Sequence, residues 1–272
     1  MSYKMVFSDM DGTLLYEGIR LSVENTAAIR KAVDKGVDFV ICTGRGVFGV
    51  ERFLEELGLI GKKGYVICQN GAALYDLRDM RLVQKKAFSP AKMMPVAKLA
   101  RELGLEMFYY DDRNFMVETV TDMVKEYVKM MGTDLRVLQE PTDYDGEFTK
   151  CLVSGRKEVL MELREKIRPY LGEELHTFFS SDIYMEIVRT DVSKGDALEA
   201  AAKEAGVSLA DTVAIGDSEN DLSMIERAGL GVAMQNGEEI VKAAADYVTE
   251  RNCEENGVAE VLEKFVLQAG IK

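Results

Sequence analysis

Positive charge is scarce in this sequence relative to negative charge. Its 34 Lys and Arg residues stand against 47 Asp and Glu residues, which gives a formal net charge of −13 over 272 residues. Binding to a nucleic-acid backbone needs a cationic surface that releases counterions, so this deficit argues against a nucleic-acid partner. It does not exclude a local anion site, because a bound divalent cation with a nearby Lys or Arg can reverse the field there.

Long apolar runs and paired cysteines are also missing. No run approaches the ~20 apolar residues that a membrane span needs, and the N-terminal stretch meets an acid at Asp9, too early for a signal peptide. The four cysteines, Cys42, Cys68, Cys151 and Cys253, form no C-x-x-C pair and are typical of reduced thiols. We therefore expect a cytoplasmic protein with no membrane partner.

Strand and helix patterns alternate in the first and last thirds of the chain. Apolar runs at 3–8, 37–42 and 65–68 are separated by helical patterns that end near 35 and 57, and the alternation resumes from a helix at 195–205. This order predicts an α/β fold with a doubly wound, mainly parallel, Rossmann-like core sheet.

Residues 82–189 show a different pattern. Short strand runs at 105–110 and 115–118 flank a turn, and a second strand pair is predicted around 175–180 and 183–188. Strand pairs joined by short turns predict an antiparallel sheet with helices, which is an α+β arrangement. We therefore predict a discontinuous core domain at 1–81 and 190–272, with an α+β domain inserted at 82–189.

The strongest local signal is a pair of acids, Asp9 and Asp11, directly after the first predicted strand. Open α/β sheets place their ligand crevices at the carboxyl ends of strands, so this is a site-like position. A calcium loop would need glycine at its sixth position, whereas Gly12 is fourth, so that reading fails on spacing. The alternative interpretation is that Asp9 and Asp11 are two acids in an ordinary turn with no functional role.

A second acidic segment, Gly216-Asp217-Ser218-Glu219-Asn220-Asp221, also follows an apolar strand. The ends of parallel strands share one edge of a sheet, so Asp9, Asp11 and Asp217 can converge there, with Asp221 as a further candidate. Carboxylates that close together do not all stay ionised without a cation, and an all-oxygen ligand set selects Mg²⁺. Solvated loop acids explain either cluster alone but explain both together poorly.

Two further elements suit a phosphate group. The strand 37–42 ends in Thr43-Gly44-Arg45, which offers a hydroxyl, a backbone N–H and a guanidinium. Lys194 begins a predicted helix, where helix N–H groups and an ammonium both favour an anion. Each element is weak evidence alone.

The segment 44–49 also matches the dinucleotide pattern G-x-G-x-x-G, after a strand and before a predicted helix. That fingerprint expects an acid at the end of the next strand, where this chain has Gln69-Asn70-Gly71, and it normally follows the first strand of the fold. Dinucleotide binding is therefore the less favoured alternative.

Taken in order, D-x-D-G-T, T-G-R, S-K-G and G-D-S-E-N-D resemble the four motifs of the haloacid dehalogenase-like hydrolases. The segment 193–258 resembles the Cof-type subfamily of sugar-phosphate phosphatases. Only about 30 residues separate Asp11 from Thr43, too few for a cap there, whereas the stretch from Thr43 to Lys194 holds the α+β unit that this branch carries as its class IIB cap. This spacing disfavours the β-phosphoglucomutase type.

The resemblance implies a Mg²⁺ cofactor and a chemical role for each acid. Asp9 is implied as the nucleophile and a metal ligand, and Asp11 as the general acid and base whose backbone carbonyl touches the metal. Asp217 is implied as a metal ligand, Ser218 as a contact through metal-bound water, and Asp221 as support outside the direct ligands. The residues implied to hold the phosphoryl group are Met10, Thr43, Gly44, Arg45, Lys194 and Asn220.

The implied activity is hydrolysis of a small-molecule phosphomonoester, such as a sugar phosphate, through an aspartyl-phosphate intermediate. A phosphomutase or phosphotransferase would use the same intermediate with another acceptor, so that alternative stays open, as does a metal-binding module without turnover. Neither the natural substrate nor the oligomeric state can be read from the sequence.

Overall fold

The computed structural model describes residues 3–268, with only the backbone at 130 and 131. Its strands are β1 (Met5–Ser8), β2 (Leu15–Tyr16), β3 (Arg20–Leu21), β4 (Asp38–Cys42), β5 (Tyr65–Cys68), β6 (Ala73–Asp76), β7 (Arg81–Lys85), β8 (Glu106–Tyr110), β9 (Phe115–Val117), β10 (Leu135–Val137), β11 (Lys150–Ser154), β12 (Leu175–Ser181), β13 (Tyr184–Arg189), β14 (Thr212–Gly216), β15 (Leu230–Ala233) and β16 (Tyr247–Val248). Its α-helices are α1 (Val23–Asp34), α2 (Glu51–Leu57), α3 (Met94–Glu102), α4 (Asp122–Met131), α5 (Lys157–Leu171), α6 (Lys194–Ala205), α7 (Leu222–Arg227), α8 (Glu239–Ala244) and α9 (Gly257–Val261).

The chain divides into two compact units. Within the described residues, unit 1 comprises the chain up to Arg45, Val50–Gln84 and the chain from Ser193, and unit 2 comprises Gly46–Gly49 and Lys85–Val192. The predicted domain boundaries, with a core at 1–81 and 190–272 and an insert at 82–189, stay a prediction; they differ from this division in placing 46–49 in the core.

Unit 1 is built on an eight-stranded sheet in the order β16-β15-β14-β1-β4-β5-β6-β7. The pairs from β16 to β5 are parallel, and β6 runs antiparallel to β5. All four residues of β1 are buried, as expected for a central strand covered on both faces. The predicted α/β class with a mainly parallel sheet is confirmed, and the strands β6 and β7 extend it beyond the prediction.

Local signals explain where the helices of unit 1 begin. Ser22 caps α1 by accepting a hydrogen bond from the Asn25 backbone N–H at 3.0 Å. Ser193 caps α6 in the same way through the Asp196 backbone N–H at 3.0 Å. This second cap fixes Lys194 as the first residue of α6, so the sequence signal that begins the helix also places the lysine.

The predicted helix that ends at Leu57 is present. It is α2, Glu51–Leu57, and it follows a short 3₁₀ turn at Val47–Gly49. Glycines at 44, 46 and 49 weaken helix formation in this stretch, because glycine loses the most backbone freedom on ordering.

Unit 2 contains a six-stranded sheet in the order β10-β9-β8-β11-β13-β12. Its pairs are antiparallel except β9 with β10, which are parallel. A hydrophobic cluster joins one face of this sheet to residues of α3 and α5, and a smaller cluster joins the other face to α4. The predicted α+β pattern of the insert is thus present, with β10 as an unpredicted short edge strand.

Across residues 3–268, no helix combines the length and the apolar character that a membrane crossing requires.

Candidate active site

The predicted site residues of unit 1 follow neighbouring strands at one edge of the large sheet. The central strand β1 pairs with β14 on one side and with β4 on the other, all parallel, so the loops after these strands leave from the same edge. Asp9 follows β1, Thr43 follows β4, and Asp217 follows β14. The convergence that the sequence predicted is therefore a consequence of strand order.

Three carboxylates, Asp9, Asp217 and Asp221, form what we call the acidic cluster. Their side chains each offer one oxygen, and these oxygens lie within 4.8 Å of one another. Burial raises the pKa of Asp9 well above its usual range, against the opposing effect of Lys194. Burial also raises the pKa of Asp217. A cation would relieve this cost, because it favours the ionised form of each carboxylate.

Lys194 is the cationic partner of the acidic cluster. Its ammonium Nζ lies 2.5 Å from Asp9 Oδ1 and 2.6 Å from Asp221 Oδ1, and its side chain is fully buried. Burial alone would lower the pKa of Lys194, but the two carboxylates raise it above its ordinary value, so the lysine stays charged. Three ionised carboxylates and one ammonium have a net charge of −2, which one Mg²⁺ ion would balance.

The donor chemistry also fits magnesium. The acidic cluster supplies only hard carboxylate oxygens, which Mg²⁺ prefers over softer ligands. Asp217 is oriented by neighbours, since its Oδ1 accepts from Thr13 Oγ1 at 2.6 Å and its Oδ2 accepts from Ser218 Oγ at 2.9 Å. Ser218 therefore contacts a carboxylate of the cluster, consistent with its predicted place beside the metal ligands.

Asp221 holds the second acidic loop in shape. Its Oδ2 accepts hydrogen bonds from the backbone N–H groups of Asp217 at 2.9 Å and Ser218 at 3.1 Å. A Cβ at Gly216 would lie 2.5 Å from the Asp221 side chain, so only glycine fits there. Asp221 thus positions Asp217 and binds Lys194 at the same time.

Asp11 is separated from the acidic cluster by its orientation. Its side chain is 53% exposed and forms a two-point ion pair with Arg45, with Nε to Oδ2 at 2.9 Å and Nη2 to Oδ1 at 2.5 Å. Arg45 also donates to the Gly18 carbonyl at 3.1 Å. Arg45, which was predicted to contact phosphate, therefore forms an ion pair with Asp11, the predicted general acid.

The other predicted phosphate ligands lie in the same loops. Met10 and Thr43 are fully buried, and Thr43 Oγ1 accepts from the Arg45 backbone N–H at 3.1 Å. Gly44 follows directly. Asn220 lies on the loop after β14, where its Nδ2 donates to Asn70 Oδ1 at 3.0 Å. Binding of phosphate by these residues stays a prediction.

Sequence reasoning missed three side chains of this region. Thr13 bonds Asp217, Asn70 bonds Asn220, and Asn236 donates from Nδ2 to the Gly12 carbonyl at 2.8 Å. Thr13 is the last residue of the D-x-D-G-T motif, so the sequence could have identified it as a site residue. Asn70-Gly71 is a pair of residues that tolerate a positive φ, so the sequence indicates a turn there. The sequence does not show that this turn lies beside the site, because that depends on the order of the strands in the sheet.

The dinucleotide alternative loses its structural context. In a dinucleotide fingerprint the glycine motif itself opens the helix, whereas here Val47–Gly49 forms a 3₁₀ turn and α2 begins at Glu51, after the last glycine. Its glycines are also divided, with Gly44 in unit 1 and Gly46 to Gly49 in unit 2.

Comparison with known proteins gives consistent matches over nearly the whole chain. A family model described as haloacid dehalogenase-like hydrolase matches residues 6–262. The 5-amino-6-(5-phospho-D-ribitylamino)uracil phosphatase YcsE of Bacillus subtilis is 34% identical over 264 residues, which cover 97% of this chain and 96% of that protein.

Two solved structures agree with this match. A haloacid dehalogenase-like hydrolase from Bacteroides thetaiotaomicron superposes with a TM-score of 0.89 at 28% identity, covering 96% of this chain and 99% of the other. The subclass IIB sugar phosphatase BT4131 superposes with a TM-score of 0.80 at 25% identity, covering 96% and 98%.

Proposed function

The chain belongs to the haloacid dehalogenase-like hydrolases, and on that premise we propose that it is a Mg²⁺-dependent phosphatase of small phosphorylated metabolites. Its membership of the family and its assignment as a phosphatase agree with the sequence-based prediction. The observation that carries the proposal is the buried contact of Lys194 with Asp9 and Asp221 inside the acidic cluster.

In the proposed first step, a carboxylate oxygen of Asp9 forms a bond to phosphorus while the bond from phosphorus to the alcohol oxygen breaks. Asp11 gives its proton to the departing oxygen, which leaves an acyl phosphate on Asp9. In the second step water attacks the phosphorus while the bond from phosphorus to the Asp9 carboxylate oxygen breaks, and the Asp11 carboxylate takes the proton from that water. Asp9 and inorganic phosphate are then released.

Charge stabilisation supports this role for Asp9. Lys194 neutralises part of the negative charge of Asp9, and both side chains are buried, where electrostatic interactions are stronger than in water. Asp9, Asp217 and the Asp11 backbone carbonyl would hold Mg²⁺, which would screen the charge on the phosphoryl oxygens. The ammonium is already in place, so no reorganisation is required of it during the reaction.

Asp11 requires one rearrangement for the proposed chemistry. Its carboxylate is bound to the Arg45 guanidinium and is half exposed, so action as an acid requires it to leave that ion pair, take up a proton from solvent and turn toward the leaving oxygen. The Arg45 side chain is only 15% exposed and the pair is bidentate, so breaking it costs about 1 kcal/mol or more, which contacts to the bound substrate must offset.

The substrate class rests on relatives. One relative is named for dephosphorylating a phosphoribitylamino-uracil and one structural neighbour for dephosphorylating sugars, so we propose a phosphomonoester of a polyhydroxylated small molecule. The predicted cap domain at 82–189, the cytoplasmic location and the absence of a nucleic-acid partner stay predictions. A phosphotransferase would differ only in the acceptor, and product analysis distinguishes the two.

The test is turnover of p-nitrophenyl phosphate by Asp9→Asn. We expect activity that requires Mg²⁺ in the wild type and falls by three or more orders of magnitude in the variant, as for loss of other nucleophiles. Asp211→Asn is the matched control, because Asp211 is a partly exposed acid paired with Lys4 outside the site. A variant that keeps the wild-type rate would remove Asp9 from its role.

A second measurement tests the intermediate itself. Acid quenching during turnover should trap a phosphorylated wild-type protein, and peptide mass spectrometry should locate the group on Asp9. Phosphate trapped on another residue, or none trapped under burst conditions, would contradict the two-step route.

A further inference from the structure

The turn after β5 has an unusual backbone. Gln69, Asn70 and Gly71 have φ values of 53°, 57° and 102°, so three consecutive residues occupy the left-handed region. Glycine adopts it readily and asparagine tolerates it, but for glutamine it is unfavourable. Such strain persists only where the surroundings fix it, and it clusters at functional sites.

The turn is fixed to two of the site loops through its backbone. The Gln69 N–H donates to the Arg45 carbonyl, and the Asn70 N–H donates to the Thr43 carbonyl, both at 2.9 Å. A Cβ at Gly71 would lie 2.3 Å from the carbonyl oxygen of Ser193, so the turn packs directly on the residue before Lys194. It therefore touches both the loop after β4 and the beginning of α6.

The Asn70 side chain reaches a third loop. Its Oδ1 accepts the hydrogen bond from Asn220 Nδ2 at 3.0 Å, and a Cβ placed on Gly44 would lie 3.1 Å from the same oxygen. Asn70 is buried, with 6% of its surface exposed, whereas Asn220 is exposed. The buried amide thus anchors an exposed one.

From these contacts we propose that Asn70 is a positioning residue for phosphate binding, which rests on the phosphatase function proposed above. It holds the Asn220 carboxamide and the Gly44 backbone at a fixed spacing. Without that anchor, Asn220 must be ordered when phosphate binds, and ordering a side chain at that moment costs affinity.

Asn70→Gly is the sharpest variant. Glycine keeps the left-handed backbone, so the substitution removes the carboxamide without new backbone strain. Asn256→Gly is the matched control, because Asn256 also has a positive φ, 69°, in unit 1 but bonds none of the proposed site residues among the contacts described. Asn70→Asp is a second variant. Aspartate also tolerates the positive φ at this position, but it places a negative charge beside the proposed phosphate site.

The measurement is calorimetric binding of orthophosphate in the presence of Mg²⁺, which needs no turnover. We expect Asn70→Gly to weaken binding by roughly three- to tenfold, the range for one neutral hydrogen bond, and Asn256→Gly to leave it unchanged. Asn70→Asp should weaken binding more than tenfold, because like charges repel at short range.

A double-mutant cycle separates positioning from general structural damage. If Asn70 acts through Asn220, then Asn70→Gly should add less than about twofold in the Asn220→Ala background. The proposal would be overturned if the loss of phosphate affinity in the double variant equalled the product of the losses in the two single variants. It would also be overturned if both Asn70 variants kept the wild-type phosphate affinity.

The outcomes also distinguish this proposal from the proposed function. Loss of turnover in Asp9→Asn together with unchanged phosphate affinity in the Asn70 variants would remove the role of Asn70 alone. Wild-type protein that binds no orthophosphate and hydrolyses no phosphomonoester would overturn both.

Discussion

Removal of the buried ammonium tests whether Lys194 compensates the acidic cluster. Lys194→Met keeps the length and much of the volume of the side chain but deletes its charge. Asp9 and Asp221 then lose the group that lies 2.5 and 2.6 Å from them. Removing one partner of a buried ion pair typically costs about 3–5 kcal/mol, because the remaining charge is left uncompensated.

The chain contains a matched control for this variant. Lys4 Nζ lies 2.7 Å from Asp211 Oδ2, but the two side chains are 63% and 28% exposed. An exposed pair of this kind contributes at most about 1 kcal/mol. Lys4→Met therefore makes the same chemical change at a similar distance without the burial.

Thermal unfolding in the presence of a chelator is the assay. For a chain of this size, about 1 kcal/mol corresponds to a shift of 2–4 °C in Tm, so Lys194→Met should lower Tm by roughly 10 °C and Lys4→Met by less than about 4 °C. Adding Mg²⁺ should recover part of the loss, since the cation replaces some of the missing charge.

The pH dependence of this difference checks its electrostatic origin. Loss of Lys194 removes an interaction that lowers the pKa of Asp9, so the pKa of Asp9 rises further in the variant. A carboxyl whose folded-state pKa is raised stabilises the fold below its unfolded pKa and loses that contribution as pH rises through the folded value. The gap between wild type and variant should therefore narrow on acidification, and equal Tm losses for both variants at every pH would refute the reasoning.

Two further predictions concern the metal and the general acid. Burial raises the pKa of two carboxyls of the acidic cluster, so metal binding must release protons, and Mg²⁺ should raise the wild-type Tm more at pH 8 than at pH 5; equal shifts would contradict this. Because Asp11 must leave its ion pair with Arg45 before it can act as the acid, Arg45→Ala should raise kcat by about fivefold, the equivalent of about 1 kcal/mol, with the inhibition constant of orthophosphate unchanged; a fall in kcat would contradict this. Arg78→Ala, which breaks an ion pair with Asp76 elsewhere in unit 1, is the control, and a weaker phosphate inhibition in Arg45→Ala would instead support direct phosphate binding.

The sequence predicted most of the site because strand ends are local features. Asp9 and Asp217 each follow a short apolar run, and parallel strands share one carboxyl edge, so their proximity follows from the fold class. Lys194 was equally accessible, since Ser193 is a recognisable N-cap. These predictions gave the shared edge, and the residues lie close together there because β1 pairs directly with β14.

The features that the sequence did not predict depend on such neighbours. β5 lies beside β4, and the turn after β5 packs on the loop after β4, which brings Asn70 within reach of Asn220. The sequence of one segment does not show which other segment it will contact. The pairing of Asp11 with Arg45 likewise depends on two loops that meet across the edge of the sheet. The short edge strand β10 lacked an apolar run long enough to be recognised.

The net charge of −13 therefore says little about this site. The acidic cluster carries three of the negative charges, but its field is set within a few ångströms by Lys194 and by the dication it can hold. Exposed acids elsewhere are screened by salt over about 10 Å, whereas buried charges are not. An acidic protein can thus bind an anionic substrate, provided that the compensating cations are buried with the carboxylates that need them. The wild-type affinity for orthophosphate should accordingly depend on Mg²⁺ far more than on ionic strength.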